Sequence, residues 1–142
     1  MEQWQTGLVL DFIREFWNEG RTESLDRYLT DDYADHAYVP GDREGLARMA
    51  DALRTAFPDQ SSAVESVIAQ GDRVIVRLRL TGTHQGNFRG KEATFLPVNV
   101  TLYREYRLTD GRIAEHWALL DTAALLRQIG AELHEQPACR IK

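Results

Sequence analysis

The pair Asp110-Gly111 constrains this chain more than any other two residues. Asp-Gly supplies the φ > 0 conformations of a tight hairpin, so the segments on either side must run antiparallel and adjacent. The residues after the turn alternate. Ile113, Glu115, Trp117, Leu119 and Asp121 share one parity; Arg112, Ala114, His116, Ala118 and Leu120 share the other. Side chains alternate across a strand, so each set lies on one face. Neither face is wholly polar, which predicts a strand covered on both sides. Asp121 ends the run, and Ala123, Leu125, Leu126 and Ile129 come after it at helical spacing. Asp121 is therefore either the N-cap of a closing helix, accepting from unpaired amides of its first turn, or a carboxylate facing an interior cavity.

A second turn, Gly71-Asp72, joins a strand over 62–70 to one over 73–84. In the latter Val74, Val76, Leu78 and Leu80 form a core row, which Gly82 and His84 continue. Arg73, Ile75, Arg77 and Arg79 face the other way. A loop over 85–92 contains Gly86 and Gly90, and a long strand over 93–108 carries an irregularity at Pro97. The first part of the chain is helical. Leu8, Phe12 and Phe16, with Val9, Ile13 and Trp17 beside them, make one wide apolar stripe over 5–18. Thr22 caps a short helix over 23–29, and a short irregular strand over 33–39 stops at Pro40-Gly41. Asp42 caps a third helix over 43–56 whose inner face holds Leu46, Met49, Ala50 and Leu53, and Pro58 stops it. Helices followed by strands predict an α+β fold with an antiparallel sheet. A curved sheet wrapped on three N-terminal helices forms a cone with room for a pocket at its open end. At 142 residues, 1–142 reads as a single domain.

Charge and composition exclude several classes. A net charge of −5 argues against a nucleic-acid partner held by a broad basic surface. A lone cysteine, Cys139, cannot close an internal disulfide. No apolar stretch approaches the ~20 residues of a membrane helix, and no signal peptide is evident at the N-terminus. The expectation is a cytoplasmic protein with no membrane partner. The four histidines form no HxxxH or HExxH pattern, so no metal site is expected. His134 falls in a polar tail and is expected to be exposed.

Phe16-Trp17-Asn18-Glu19-Gly20, Leu25-Asp26 and Asp32-Tyr33-Ala34-Asp35-His36 come in order. Ala56-Phe57-Pro58-Asp59, Gly71-Asp72-Arg73-Val74 and Thr81-Gly82-Thr83-His84-Gln85-Gly86 come next. Gly111-Arg112-Ile113-Ala114-Glu115-His116-Trp117, Asp121 and Leu125-Leu126-Arg127-Gln128-Ile129-Gly130 complete the series. Taken together, this succession resembles the SnoaL-like polyketide cyclases over nearly the whole chain. The resemblance implies the NTF2-like α+β cone, commonly a homodimer packed through its sheets. It also implies a cofactor-free intramolecular aldol closure of a small hydrophobic carbonyl compound, with Asp121 as the pocket acid/base. Aspartate suits that role where the proton abstracted lies between two carbonyls, or where burial raises its pKa.

His116 is the candidate partner of Asp121. Five residues apart on a regular strand, the two point to opposite faces unless a bulge intervenes. Trp117 shares the parity of Asp121 and is expected beside it as a pocket wall. His36, His84, Phe16, Trp17, Met49, Leu53, Phe57 and Phe88 are the other candidate substrate contacts, with Phe88 in a glycine-bounded loop suited to a lid. Arg104, Glu105 and Arg107 make their strand more charged than a pocket-lining strand is expected to be. Two other functions fit the same fold. One is an epoxide hydrolase or isomerase, with Asp121 joined by Asn99, Tyr103 or Asp35. The other is a non-catalytic small-molecule-binding dimer.

Overall fold

The computed structural model describes residues 3–131; Cys139 and His134 lie outside them. Helix α1 (Gln3–Phe12) continues into a π-helical segment, Ile13–Asn18. The wider turn frees two carbonyls, which side chains take up: Arg54 donates to the oxygen of Phe16 at 3.2 Å and Gln60 to that of Trp17 at 2.8 Å. A 3₁₀ turn, Thr22–Ser24, leads into α2 (Leu25–Tyr28). Helix α3 (Arg43–Ala56) starts where Asp42 accepts from the amides of Glu44 and Gly45. The chain then runs through β2 (Ser61–Gln70), β3 (Arg73–Thr83), β4 (Pro97–Thr109) and β5 (Arg112–Leu120) to α4 (Thr122–Gln128). The expected strand over 33–39 is β1, Leu29–Asp35.

The five strands form one sheet in the order β1-β5-β4-β3-β2. The pairs β2/β3, β3/β4 and β4/β5 are antiparallel, and β1 adds a parallel edge beside β5. The Asp110-Gly111 turn has φ of 51° and 77°, the left-handed values its residues tolerate. On β3, Val74, Val76, Leu78 and Leu80 are buried; on β4, Val98, Val100, Leu102, Arg104, Tyr106 and Leu108 are. These rows meet Val9, Phe12, Ile13, Phe16 and Trp17 of the first helix and Leu46, Ala50 and Leu53 of α3 in one core. The long strand begins at Pro97, not near 93, because the residues before it fold back on His84. His84 donates its amide to Leu96 and accepts from the amide of Phe95.

The β4/β5 register contains one irregularity. Leu108 pairs with Ile113 and Arg107 with Glu115, so Ala114 is an extra residue. From there Tyr106 faces His116, Arg104 faces Ala118 and Leu102 faces Leu120. The bulge puts Ile113, His116, Ala118 and Leu120 on the concave face and Trp117 and Leu119 on the convex one. Among the described residues no helix is long and apolar enough to cross a membrane.

Candidate active site

Between α3 and the concave sheet lies a cavity of about 710 Å³, within the ~300–1,000 Å³ usual for small-molecule sites. Met49 and Leu53 of α3, Leu80 of β3, Leu102 and Arg104 of β4, and Ala118 and Leu120 of β5 line it. Tyr38, just beyond β1, closes one side, and Asn87, Phe88 and Arg89 close another. The wall is mainly apolar.

The buried charge in it is Arg104, a guanidinium only 2% exposed on an otherwise apolar row; Arg48, Asp51 and Arg89 stand exposed around it. Its Nη1 donates to the Tyr38 hydroxyl at 2.9 Å and lies 3.1 Å from His116 Nε2. Its carbon Cζ sits 3.7 Å from the centroid of the Trp17 ring. An arginine N–H can only donate, so His116 Nε2 accepts and its proton is on Nδ1. Nδ1 donates in turn to Asp35 Oδ2 at 3.0 Å. Asp35 also accepts from Tyr33 Oη at 2.6 Å and from the amides of Ala37 and Tyr38 at 2.9 and 3.0 Å. The chain Asp35–His116–Arg104–Tyr38 thus runs from the sheet edge to the cavity.

Charge in this chain is fixed by burial. Burial pushes the His116 pKa down to about 4 even though Asp35 opposes the change, and the Arg104 charge adds to the lowering. His116 is therefore a neutral imidazole near pH 7. Burial works against ionised Asp35, but the bonds from His116, Tyr33 and Ala37 hold its pKa below the usual carboxylate value. Burial raises the Tyr33 phenol, keeping it a donor. Arg104 stays charged. No carboxylate touches it among the described residues. Its Nε is buried without a partner, and its Nη2 makes no hydrogen bond there.

The mouth is held by backbone. The amides of Gln85 and Gly86 donate to the Ala56 carbonyl at 2.8 and 3.1 Å, crossing the end of α3. Only glycine permits that crossing, since a Cβ at Gly86 would stand 2.2 Å from the Thr55 oxygen. Phe88 and Lys91 exchange both backbone hydrogen bonds at 2.9 Å around Arg89, at φ 52°, and Gly90, at φ 86°. The Phe88 ring packs 5.5 Å from Phe57.

Of the expected site residues, Met49, Leu53 and Phe88 border the cavity. Phe16, Trp17 and Phe57 are core residues behind it. His84 is fully buried under the following loop, its Nδ1 accepting from the Thr94 amide at 3.2 Å, and does not reach the cavity lining. The placements of Trp117, His36 and Asp121 are corrected. Trp117 is on the convex face, stacked 4.8 Å from His36 with Arg73 5.0 Å above it, because the Ala114 bulge inverts the parity counted from Ile113. His36, bonded to Glu115 at 3.1 Å, goes with it. Asp121 is exposed; its Oδ1 accepts from the Ala124 amide at 3.1 Å, and it caps α4 outside the cavity lining. No irregularity separates His116 from Leu120, so nothing brings His116 and Asp121 onto one face. The first helix does not reach the cavity lining either; its side chains fill the core.

Sequence reasoning passed over Arg104 and Tyr38 as site residues. The signal for Arg104 was present: it is the one charge in the row Val98, Val100, Leu102, Arg104, Tyr106, Leu108.

The profile of a family described as SnoaL-like polyketide cyclase matches residues 7–129. Nogalonic acid methyl ester cyclase of Streptomyces nogalater is 28% identical over 120 residues, which cover 80% of this chain and 89% of that protein. Among solved structures, IdmH of Streptomyces antibioticus superposes with a TM-score of 0.78 at 29% identity, covering 91% of this chain and 99% of that one. TsrD of Streptomyces laurentii gives 0.81 at 25% identity, covering 91% and 96%.

Proposed function

The chain belongs to the SnoaL-like polyketide cyclase family, and from that premise we propose that it closes a ring in a polyketide-like carbonyl compound by an intramolecular aldol step. The observation that carries this reading is Arg104, a buried, charged, incompletely bonded guanidinium on the wall of an apolar cavity. In an aldol closure, negative charge develops on an enolate oxygen and then on the oxygen of the attacked carbonyl. A fixed cation in a water-poor site stabilises both more than it does the neutral ground state.

Tyr38 supports the same step. Its oxygen accepts from Arg104, which leaves its own O–H free to donate to a substrate oxygen. His116 is a positioning residue: its Nε2 is occupied by Arg104, and it fixes the guanidinium rather than taking the substrate's proton. Asp35 fixes the His116 tautomer. One carboxylate, Asp51, stands among the cavity-lining residues, with its side chain 77% exposed. The reading therefore rests on oxygen stabilisation: the proton of a methylene already acidic between two carbonyls passes to solvent water, and the oxygen of the attacked carbonyl takes a proton back after the carbon–carbon bond forms.

The test is proton exchange at such a methylene. A non-cyclising aromatic 1,3-dicarbonyl in deuterated buffer should lose its methylene protons faster with the protein than without it. Arg104→Met should remove the acceleration. An unchanged rate with the native chain sinks the reading.

We further place the protein in the cytoplasm as a homodimer packed through its convex sheet. Ile68, Ile75, Tyr103 and Leu119 are exposed there. Arg77 and Arg79 pair with Glu65, and Arg73 with Glu105, within the chain, so the charges on this face are balanced where a two-fold copy would pack. Sedimentation at micromolar concentration should give a dimer that Ile75→Glu dissociates; a monomeric native chain overturns this.

A further inference from the structure

An aldol closure is neutral in protons: one leaves carbon and one ends on the oxygen of the attacked carbonyl. The cavity lining offers few groups to deliver the second. The guanidiniums of Arg48, Arg89 and Arg104 keep their protons. Asp51 is an exposed carboxylate 3.8 Å from Arg54. Thr55 and Thr122 carry alcohols, no stronger as acids than the product itself, and the Thr122 hydroxyl already donates to the Leu120 carbonyl at 3.3 Å. Tyr38 remains, and a phenol is a far stronger acid than an aliphatic alcohol.

The placement of Tyr38 fits that task. Its oxygen accepts from Arg104 Nη1 at 2.9 Å, so a cation stands beside the atom on which charge appears when the proton leaves. The segment that carries it is tied down: the amides of Ala37 and Tyr38 donate to Asp35, the Asp35 amide to the Gly41 carbonyl at 3.0 Å, and the His36 amide to the His116 carbonyl at 2.8 Å. Tyr38 also stands in two walls. Besides the cavity it lines a second, more open groove of about 390 Å³, where Ala37 and Val39 face Gly45, Met49 and Ala52 of α3. Water in that groove has access to Tyr38 while substrate fills the cavity. The titratable groups around Tyr38 are Arg104, His116 with its ring 5.8 Å away, Asp35 and, in the groove wall, Arg48.

We propose that Tyr38 is the catalytic acid of the ring closure. Its O–H bond breaks as an O–H bond forms on the former carbonyl oxygen, Arg104 holds the phenolate, and water in the groove restores the proton. The proton given earlier by the methylene to solvent balances the one drawn back. This assignment rests on the aldol reading and on the oxygen-stabilising role of Arg104, and turns the Tyr38 hydrogen bond into a proton transfer.

The probe is 4-hydroxy-4-phenylbutan-2-one, whose cleavage to benzaldehyde and acetone is an aldol addition run backwards. In that direction the Tyr38 phenolate takes the hydroxyl proton as the carbon–carbon bond breaks. Benzaldehyde absorbance follows cleavage, NMR follows proton exchange on the 1,3-dicarbonyl, and urea melts put both on a per-folded-molecule basis. Tyr38→Phe keeps the ring. It should lower cleavage by about 10²–10⁴-fold, the range for one acid–base group, and proton exchange by no more than about tenfold, the scale of one hydrogen bond. Native cleavage, corrected for the hydroxide reaction, should rise with pH, and that rise should vanish in Tyr38→Phe. Cleavage that falls no further than exchange, or a pH dependence that survives the substitution, overturns the proposal and leaves the role of Arg104 standing. A native chain that does not cleave the probe overturns it too, while proton exchange still decides the reaction. Native rates of both processes in Arg104→Met remove the oxygen-stabilising role, and the role of Tyr38 falls with it.

Discussion

Replacing Arg104 by methionine separates a functional cation from a structural one. Methionine has similar length and no charge. The change removes hydrogen bonds to Tyr38 and His116, each worth about 1.5–3 kcal/mol for a charged donor. It also removes the stacked contact with Trp17 at 3.7 Å, about 2 kcal/mol when desolvated. Against these losses of about 5–8 kcal/mol stand the relief of a buried charge, several kcal/mol, and of the buried, unpaired Nε donor, about 1–3 kcal/mol. The two sides nearly cancel, so the folding free energy should move by no more than about 2 kcal/mol in either direction. Proton exchange on the dicarbonyl probe should fall by about 10²–10³, the range for losing a main oxyanion donor. Urea melts give the first quantity and NMR the second. Arg104 also depresses the His116 pKa, so the imidazole should titrate higher in the variant. A stability loss above about 4 kcal/mol, with exchange per folded molecule unchanged, would refute the argument and make Arg104 a structural residue.

Other outcomes are expected from the same geometry. The His116 pKa is about 4 folded against 6.5 ordinarily, so the unfolded chain binds the extra proton between these values. Stability is then complete above about pH 6.5 and declines by about 3 kcal/mol as pH falls through 4, a slope that His116→Gln should abolish in urea melts. Asp121→Ala should cost about 1 kcal/mol through the lost cap on α4 and leave proton exchange at the native rate; a large rate loss would restore the carboxylate to the chemistry. Gly86→Ala, whose Cβ meets the Thr55 oxygen at 2.2 Å, should destabilise by about 1–3 kcal/mol and speed amide exchange over 85–91.

The fold was legible because its signals are local and agree with one another. Asp-Gly and Gly-Asp turns, the period-two row of β3 and the Asp42 cap each appear in the structure where the sequence puts them. What was not legible depends on distant partners. The π-helical segment after Phe12 is fixed by Arg54 and Gln60, about 40 residues away. The strand near 33 extends back to Leu29 because that residue pairs with Ile113 across the sheet. No local propensity encodes either contact.

The site was misread for a more specific reason, which is arithmetic. Counted from buried Ile113, strict alternation turns Trp117 and Asp121 inward and His116 outward. One extra residue, Ala114, reverses everything after it, because a strand's faces have period two and a single insertion exchanges them. Ala114 is only 3% exposed, so it is buried like its neighbours and nothing in its chemistry marks it as the extra residue. Yet the bulge is what brings His116 under Tyr106 and within reach of Arg104 and Asp35. Without it the unbroken register would set Glu115 opposite Tyr106 and Trp117 opposite Arg104, and Arg104 would lose the acceptor that orients it. Parity on β4, which is unbroken from Val98 to Arg107, carried the better information. A lone arginine in an otherwise apolar row needs partners to stay there, here Tyr38, His116 and the Trp17 ring, and it borders the cavity in front of the row.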